Sequence, residues 1–537
     1  MPHTHQARAA LPALALIAAL GSAGCPTRTT SPRRPAAPAA QGTLRIRLPA
    51  DLPPLPCLMQ GHTWCDRILM GSIYEPLVRW DAKREDFVGV LGTSWSRGEE
   101  GRLVRIGLRK DVRWHDGRPF CAADVKHSLE ILRSAPGERE HPVAMRLMSR
   151  LDRVSYATDN EVELRFTKPL GPVLELLAAI PIRQAPKKAA DPTESQPATG
   201  PPAAEDQVVG TGPFRFVQWW PGEKLVLGRW DGYWGRPASH RLVEFLVLTS
   251  LEGVVERMRN GALDLVLDLD ARSYSLLGAR LGKAAHPIML EPAGYSLLAF
   301  NCRQAPLKDP RVRRALAKLI DRKKLVSGLP GPRPKLLDGP VWPYGPQWRA
   351  AQGTQLGHDP AGAAILLREA GFIMKGGRWH KDGQPFTLRV RTAQRSEGIN
   401  RGLRALRDDL GRAGVTLVIE KRIWGELVRD LRKQSFQALL MSTPLLGPWS
   451  DLSDILSPGG NHFGYQSKDL ETRLGKILDD VSPTRRLARE RRLLQTIAKD
   501  APFLVLQVPR SIGLARRPLL NPEITFNWFD LARLTEK

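Results

Sequence analysis

Alternating strand and helix patterns run through most of the sequence, and they limit the chain to a mixed α/β fold. In the first half, an apolar residue stands at every second position of TLRIRLP, RLVRIGLR and EVELRF, as in a half-buried strand. The second half alternates helical segments, such as DPRVRRALAKLID, with strand-like runs, such as FTLRVRT and VTLVIEKR. This order predicts mixed α/β domains. No repeat of fixed period is visible, which argues against a solenoid.

Length and charge narrow the classes of function. The chain has 537 residues, which is too long for one compact core, so two or three domains are expected. Its 80 Lys and Arg residues outnumber its 55 Asp and Glu residues, giving a net charge of +25. Such an excess fits a nucleic acid, an anionic membrane surface or an acidic ligand. The basic residues are spread along the chain without a nucleic-acid-binding motif, so we expect no nucleic-acid partner.

The N-terminus has the features of a secretory signal peptide. Arg8 precedes the apolar run AALPALALIAAL, which is too short to span a bilayer and is followed by GSAG and Cys25. A cysteine after small residues resembles the lipobox of bacterial lipoproteins, in which Cys25 would become the acylated first residue. Ser22 departs from that pattern, since a lipobox usually carries Leu there, and simple cleavage with release is the alternative.

Export would permit disulfides, and beyond Cys25 the cysteines are Cys57, Cys65, Cys121 and Cys302. The sequence does not rank their pairings securely. A local bridge between Cys57 and Cys65 is consistent with the short Gly-containing loop between them. No pair has the spacing of a zinc knuckle.

The stretch from Arg113 to Leu132, RWHDGRPFCAADVKHSLEIL, is either a metal or catalytic cluster or a turn leading into a helix. The side chains in it that could bind a metal or take part in catalysis are those of His115, Asp116, Cys121, Asp124 and His127. With Cys121 at the N-cap, Asp124 falls in the first turn, where the helix dipole favours an anion. The buried stripe would comprise Val125, Leu129 and Leu132. We predict a strand, a turn and a capped helix, with His127 outside the stripe.

Six segments, taken in order, resemble one family. They are LGTSWSRGEEGRLVRIGLRKDVRWHDGRPFCAADVKHSLE, GTGPFRFVQWWPGEKLVLGRWDGYWG, NCRQAPLKDPRVRRALAKLIDRKKLV, DPAGAAILLREAGF, NHFGYQSKDLETRLGKILDD and KDAPFLVLQV. The family is that of the family 5 extracellular solute-binding proteins of ABC importers, which take up dipeptides, oligopeptides and nickel complexes. Any one segment alone is a weak signal, but six in register are hard to reach by chance.

The resemblance implies a bilobed, periplasmic-binding-protein-like α/β fold (type II, cluster C) with an extra domain beside the first lobe. The lobes would close on a ligand by a hinge motion. The predicted segments are a signal peptide at 1–24, a disordered tether at 25–41, a first lobe at 42–79, 208–300 and 505–537, an extra domain at 80–207 with an exposed loop at 185–207, and a second lobe at 301–504.

The resemblance also implies an anchor for the ligand's amino group. In peptide-binding members, a carboxylate in a Trp-x-x-Asp-like stretch of the second lobe pairs with the α-ammonium group. Here the stretch is LGPWSDLSDILSP, in which Asp451 is the preferred anchor and Trp449 and Asp454 lie beside it. Ile455 replaces the Pro that usually follows the second Asp. Alternatively, Asp451 or Asp454 simply caps a short helix.

Other residues are candidates for the rest of the ligand. Arg395, in RTAQRSEG, stands where some dipeptide-binding members place an arginine fork for a carboxylate, although a solvated surface role is the alternative. Tyr295, Trp424 and Trp449 would stack on or line the ligand, but such residues are equally common in a core or a lobe interface. An extended peptide would be held by strand-like addition.

Several other functions find no support in the sequence. It has no Gly-x-Ser-x-Gly elbow, His-Glu-x-x-His helix, Walker loop or Cys-x-x-Cys pair, so we expect no enzyme and no cofactor. For nickel or haem binding, only His462 is suggestive, and we expect no metal site. The expected partners are a peptide or small solute, the permease subunits of an ABC transporter and the membrane through the N-terminal lipid, with the chain a monomer. The alternative is an envelope lipoprotein that uses this fold for sensing, chaperoning or metal-complex binding.

Overall fold

The computed structural model describes residues 41–59, 63–135, 141–186, 208–290, 294–327, 336–341, 345–393, 397–444, 452–456, 461–507, 511–520, 531–532 and 534–536. The predicted signal peptide, nearly all of the tether with Cys25, and most of the predicted loop at 185–207 lie outside these residues. None of the described helices is long and apolar enough to cross a membrane.

The described segments form alternating strands and helices, as the sequence predicts. The strands are β1 (Gln41–Leu48), β2 (Val78–Asp81), β3 (Asp86–Gly89), β4 (Gly92–Gly98), β5 (Leu103–Leu108), β6 (Leu151–Thr158), β7 (Glu161–Phe166), β8 (Phe214–Trp220), β9 (Lys224–Arg229), β10 (His240–Val247), β11 (Leu265–Leu269), β12 (His286–Leu290), β13 (Gly294–Phe300), β14 (Ile373–Lys375), β15 (Arg378–Lys381), β16 (Gln384–Pro385), β17 (Thr387–Ala393), β18 (Thr416–Arg422), β19 (Ala438–Pro444), β20 (Phe503–Gln507), β21 (Ser511–Ala515), β22 (Leu519–Leu520) and β23 (Thr535–Glu536). The α-helices are α1 (Thr63–Leu69), α2 (Ala122–Ser134), α3 (Pro142–Met148), α4 (Val173–Leu177), α5 (Leu251–Arg259), α6 (Ala271–Leu281), α7 (Pro310–Leu319), α8 (Arg322–Ser327), α9 (Pro346–Ala351), α10 (Pro360–Glu369), α11 (Glu397–Arg412), α12 (Trp424–Lys433), α13 (Leu452–Leu456), α14 (Leu470–Asp479) and α15 (Pro483–Asp500).

A seven-stranded sheet, here called the first sheet, has the order β12-β21-β11-β1-β10-β9-β8. Strand β1 runs parallel to β10 and β11, whereas β8 and β9 form an antiparallel hairpin. The turn of this hairpin is at Pro221 and Gly222, and Gly222 adopts φ +77°, a backbone region that favours glycine. The predicted hairpin is therefore confirmed.

A five-stranded sheet, the second sheet, has the order β18-β17-β19-β13-β20. Strand β17 is parallel to both β18 and β19, and β13 is antiparallel to β19 and β20. Its two faces contribute to two apolar clusters: Leu388 and Val390 belong to one, and Leu297 and Leu439 belong to the other. Burial on both faces explains why these strands are rich in apolar residues.

A four-stranded antiparallel sheet, the third sheet, has the order β4-β5-β7-β6 and packs against α2 and α3. Along β5, Val104, Ile106 and Leu108 are buried, and Val162 and Leu164 of β7 join them in one apolar cluster. The alternating pattern of these strands predicted one buried and one solvated face.

The division into a first lobe, an extra domain and a second lobe stays a prediction, but strand pairing places two of its boundaries differently. We assigned residues 208–300 and 505–537 to the first lobe. Strand β13 instead pairs with β19 and β20, and β20 extends to Gln507, so both strands belong to the second sheet. The chain passes between the sheets after Leu290 and again before Ser511. The apolar pattern of a strand does not show which other strands it pairs with. The predicted boundaries therefore differ from the observed sheets.

The stretch from Arg113 to Leu132 forms a turn and a capped helix, which confirms the structural interpretation. Cys121 is the N-cap of α2, and its backbone N–H donates to Oδ2 of Asp124 over 2.9 Å. The indole Nε1 of Trp114 donates to the same oxygen over 3.0 Å. The predicted apolar stripe is buried, whereas His127 is only partly buried.

His115 connects this turn to the segment that leads into β8. The backbone N–H of Gly210 donates to Nδ1 over 3.2 Å, so Nε2 carries the proton and donates to the carbonyl of Gly212 over 3.0 Å. Burial lowers the pKa of His115 to about 4, which keeps the ring neutral. Among the described residues, no group of three or more His, Cys, Asp or Glu side chains is placed to hold a metal ion.

The family-like segments GTGP and GYWG meet at a buried carboxyl group, that of Glu75. Three donors reach it: the hydroxyl groups of Thr211 and Tyr233 over 2.9 Å and 2.8 Å, and the indole N–H of Trp234 over 2.9 Å. The guanidinium of Arg109, which follows β5, stacks on the ring of Trp234 at 4.1 Å. These contacts hold the part of the chain around the third sheet against the first sheet.

The predicted local bridge between Cys57 and Cys65 is present, with a Cα–Cα distance of 5.8 Å. It closes the loop that leads into α1. Cys121 and Cys302 are free thiols.

Candidate functional site

One edge of the second sheet collects the strand ends that precede the predicted ligand residues. Strands β17, β18 and β19 are parallel, so all three end at the same edge, where Ala393 pairs with Arg422. Strand β13 runs the other way and begins at this edge, with Gly294 opposite Pro444. Ligands of open α/β sheets bind outside the carboxyl ends of parallel strands. We call this edge the second-sheet edge.

The predicted ligand residues follow these strand ends closely along the chain. Arg395 comes two residues after β17, and Trp424, two residues after β18, is the first residue of α12. Trp449 and Asp451 come five and seven residues after Pro444, the last residue of β19. The strands that precede these residues therefore all end at one edge.

Side-chain placement is described for only one predicted ligand residue. Arg395, Trp449 and Asp451 lie outside the described residues, and so do the side chains of Trp424 and Asp454, whose backbones are in α12 and α13. Tyr295 is fully buried in the apolar cluster that includes Leu452 and Phe463. This position fits the core role that was the alternative for Tyr295.

The second-sheet edge also carries a charged network that the sequence did not predict. The guanidinium of Arg391 pairs with Oε2 of Glu420 over 3.0 Å and with Oδ2 of Asp430 over 3.0 Å. Arg422 pairs with Glu420 over 3.4 Å and lies 3.8 Å from Asp430. Arg389, also on β17, lies 3.9 Å from Glu420, so three cations and two anions from β17, β18 and α12 form one network. The register of β17 and β18 and the position of α12 bring these residues together.

The first sheet presents an edge of its own, formed by the carboxyl ends of β1, β10 and β11. Buried Arg47, on β1, donates from Nε to the carbonyl of Leu248 over 2.9 Å. Burial lowers the pKa of Arg47, while the negative charge of Asp270 opposes that shift. Arg67, on α1, forms an ion pair with Asp268, which has φ +53°, an uncommon value for a residue other than glycine. Strained backbone of this kind is concentrated at functional sites.

The two edges lie beside each other because two short links join them. Three residues separate Leu290 from Gly294, and three separate Gln507 from Ser511. A link of that length spans at most about 14 Å. In addition, α6 after the first-sheet edge contacts α11, which follows β17. The two sheets are thus connected twice along the chain by short links at adjacent edges, an arrangement that suits a hinge.

His462, the one histidine with a suggestive position, does not belong to a metal cluster among the described residues. Burial, followed by the positive charge of Arg432, lowers its pKa. Its position after the predicted ligand stretch fits a polar loop residue.

Comparison with known proteins identifies the family. Residues 86–462 match the family described as bacterial extracellular solute-binding proteins, family 5 Middle. The dipeptide-binding protein of Escherichia coli (strain K12) is 24% identical over 391 residues, which cover 69% of this chain and 70% of that protein. The nickel-binding periplasmic protein of the same organism is 24% identical over 470 residues, which cover 84% and 86%.

Solved structures share the fold. The crystal structure of NikA from Brucella suis in complex with Fe(III)-EDTA matches with a TM-score of 0.77 at 21% identity, covering 93% of this chain and all (100%) of that chain. The oligopeptide-binding protein AppA from Bacillus subtilis, in complex with a nonapeptide, matches with a TM-score of 0.69 at 18% identity, covering 92% and 99%.

These likenesses confirm the predicted bilobed α/β fold and the predicted function, that of a substrate-binding component of an ABC importer. They do not favour the alternative of an envelope lipoprotein that uses this fold for sensing, chaperoning or metal-complex binding. The chain belongs to the bacterial extracellular solute-binding proteins of family 5.

Proposed function

We propose that the chain captures a peptide between its two lobes outside the cytoplasmic membrane and delivers it to the permease subunits of an ABC importer. The observation that carries this proposal is the convergence of β17, β18 and β19 on one edge that faces the first sheet. The stretch LGPWSDLSDILSP, which gives the peptide-binding resemblance, follows directly after β19. Relatives named as dipeptide-binding and oligopeptide-binding proteins support a peptide as the solute.

In this proposal, each predicted ligand residue has a distinct role. Asp451 pairs with the peptide's α-ammonium group, and Asp454 lies three residues further along the same stretch. A desolvated ammonium needs a fixed carboxylate, because an unpaired charge in a closed cleft is costly. Arg395 pairs with the peptide's carboxylate, while Trp449 and Trp424 line the space between.

The amino-group anchor can be tested with a pair of matched peptides. Isothermal titration of the purified, ligand-stripped chain with tri-alanine should show binding, whereas N-acetyl-tri-alanine should bind about 30-fold more weakly or not at all. Acetylation removes the positive charge and leaves the rest of the peptide unchanged. Equal affinity for the two peptides would contradict the anchor.

Substitution of Asp451 in the protein tests the same amino-group anchor. Asp451→Asn should weaken tri-alanine binding about 30-fold or more, since it removes the anchor's charge but keeps its size. Asp382→Asn is the matched control, because Asp382 is exposed and lies before the start of β17, at the far end of the strand from the second-sheet edge. If wild-type protein binds none of a set of di-, tri- and tetrapeptides, peptide capture itself is wrong, and native mass spectrometry of the protein as purified would identify the solute.

We further propose that the mature chain is held at the membrane by a lipid on Cys25. The support is the order of residues at the N-terminus: a basic residue, an apolar run, small residues and then a cysteine. Cys25→Ala should move the protein from the membrane fraction to the soluble fraction. If wild type and Cys25→Ala are both soluble, cleavage without acylation is the explanation; if both stay in the membrane fraction, a lipid on Cys25 is not the anchor. We propose no catalytic role, in keeping with a family of solute-binding proteins.

A further inference from the structure

The third-sheet part, which is the predicted extra domain at 80–207, contacts the second lobe directly. This contact is separate from the two links. Arg486 of α15 forms an ion pair with Glu175 of α4, and their side chains are only 10% and 7% exposed. Arg150 pairs with Asp479 over 2.7 Å. We call this region the side contact; it comprises residues 97–101, 150 and 169–175 on one side and residues 478–486 on the other.

The backbones within the side contact are also closely packed. The N–H of Gly171 donates to the carbonyl of Leu478 over 2.7 Å. A Cβ atom at Gly171 would lie 2.1 Å from the carbonyl oxygen of Asp480, so only glycine fits there without a shift. The guanidinium of Arg97 donates to the carbonyls of Leu170 and Gly171 over 2.9 Å and 2.7 Å, which fixes this loop.

The side contact is a connection between the lobes in addition to the two links of the hinge. The third-sheet part is held to the segments beside the first sheet by Arg109, which stacks on Trp234, and by His115, which is hydrogen-bonded to Gly210 and Gly212. Through the side contact, the same part is also held to the second lobe. Besides the two links, the lobes are joined by non-covalent contacts: the side contact, the contact of α6 with α11 and the ion pair of Arg349 with Glu85. Of these ion pairs, that of Arg486 with Glu175 is the most buried, and a rotation that separates the lobes at the links must act on it.

We propose that Arg486 and Glu175 are positioning residues for ligand retention, because the side contact forms when the lobes close and separates when they open. Neither residue needs to touch the ligand. In the closed state the two charges are desolvated but paired, with Arg97 close to Glu175 and Glu490 close to Arg486. When the lobes open, Glu175 stays beside Arg97 and Arg486 stays beside Glu490, so each charge keeps a neighbour of opposite sign. The side contact then shifts the closing equilibrium, and with it the affinity for any ligand that binds the closed state.

The test uses the full-length mature chain without ligand. Small-angle X-ray scattering, fitted with open and closed forms, gives the closing equilibrium constant for wild type, Arg486→Gln, Arg486→Lys and Glu175→Gln. Each glutamine variant should lower this constant about 5- to 150-fold. Arg486→Lys should restore part of it, because the charge is kept. The double variant should be no more open than either single variant, as expected of two residues in one interaction.

Glu163→Gln is the matched control. Glu163 pairs with Arg105 over 2.5 Å on the exposed face of the third sheet, within the same part of the chain. This control should leave the scattering curve unchanged. Scattering curves of the Arg486 and Glu175 variants that superpose on wild type would overturn the proposal, whether or not their thermal midpoints fall. That outcome would mean that the third-sheet part moves with the second lobe or that the pair is purely structural.

Discussion

Replacing Glu75 by glutamine should change how stability depends on pH. The carboxyl group is 4% exposed at the residue level and accepts three hydrogen bonds. Thr211 and Trp234 both donate to Oε2, so the single carbonyl oxygen of a glutamine can accept from both. The hydroxyl of Tyr233 can rotate to accept from the new amide. Glu75→Gln therefore keeps the hydrogen-bonding shape and removes only the ionisation.

The size of the expected change in the free energy of unfolding follows from the shift in the pKa of Glu75. Burial raises the pKa of Glu75 from 4.5 to about 7, against the opposing effect of its three donors and Arg109. Between these values the folded chain holds a proton that the unfolded chain has released. The stability contributed by Glu75 is thus fully present below pH 4.5 and is lost as the pH rises through about 7. The difference between these two pKa values corresponds to about 3 kcal/mol of stability.

The assay is reversible urea unfolding of wild type and Glu75→Gln at about pH 5 and about pH 9. The variant should gain about 3 kcal/mol relative to wild type between these two conditions. His115, whose pKa is lowered to about 4, titrates in both proteins and cancels in the difference. Glu163→Gln, which leaves the Glu75 carboxyl group intact, is measured under both conditions as the control. A constant difference for Glu75→Gln, or one that falls with pH, would refute the reasoning.

Three further substitutions test local features of the fold. Cys121→Thr should raise the free energy of unfolding by about 0.5 to 1 kcal/mol, because threonine is the better N-cap and Cys121 is in no disulfide; a lower thermal midpoint would count against this. Replacing Cys57 and Cys65 by serine should lower the free energy of unfolding by about 2.5 kcal/mol, the entropy of closing a short loop, and reductant should have that effect on wild type only. Gly210→Ala should strongly lower the thermal midpoint, because the added Cβ would lie 1.8 Å from a carbonyl oxygen. Gly278→Ala is the control and should be neutral or stabilising, because the added Cβ would meet open space on a helix. Equal midpoints for the two variants would contradict the packing argument.

Local signals in the sequence predicted local structure correctly. The turn and capped helix at 113–132, the hairpin at Pro221 and Gly222 and the bridge between Cys57 and Cys65 depend on residues close along the chain. In such cases, turn chemistry, helix capping and short loop closure act over a few residues, so composition and spacing contain the information. The motif around Gly210 was visible as well, but its role in supporting Glu75 was not, since the carboxyl group lies far away in sequence.

The sequence by itself determined the α/β class, the family and the order of strands and helices, because periodicity and motif order are properties of the chain alone. Only the tertiary structure decided which strands pair. That pairing moved β13 and β20 into the second sheet, brought the ends of β17, β18 and β19 to one edge and placed Tyr295 in a core. It also created the side contact, in which Glu175 meets Arg486 from more than half the chain away. Such contacts depend on register and packing between distant segments, and no local pattern encodes them.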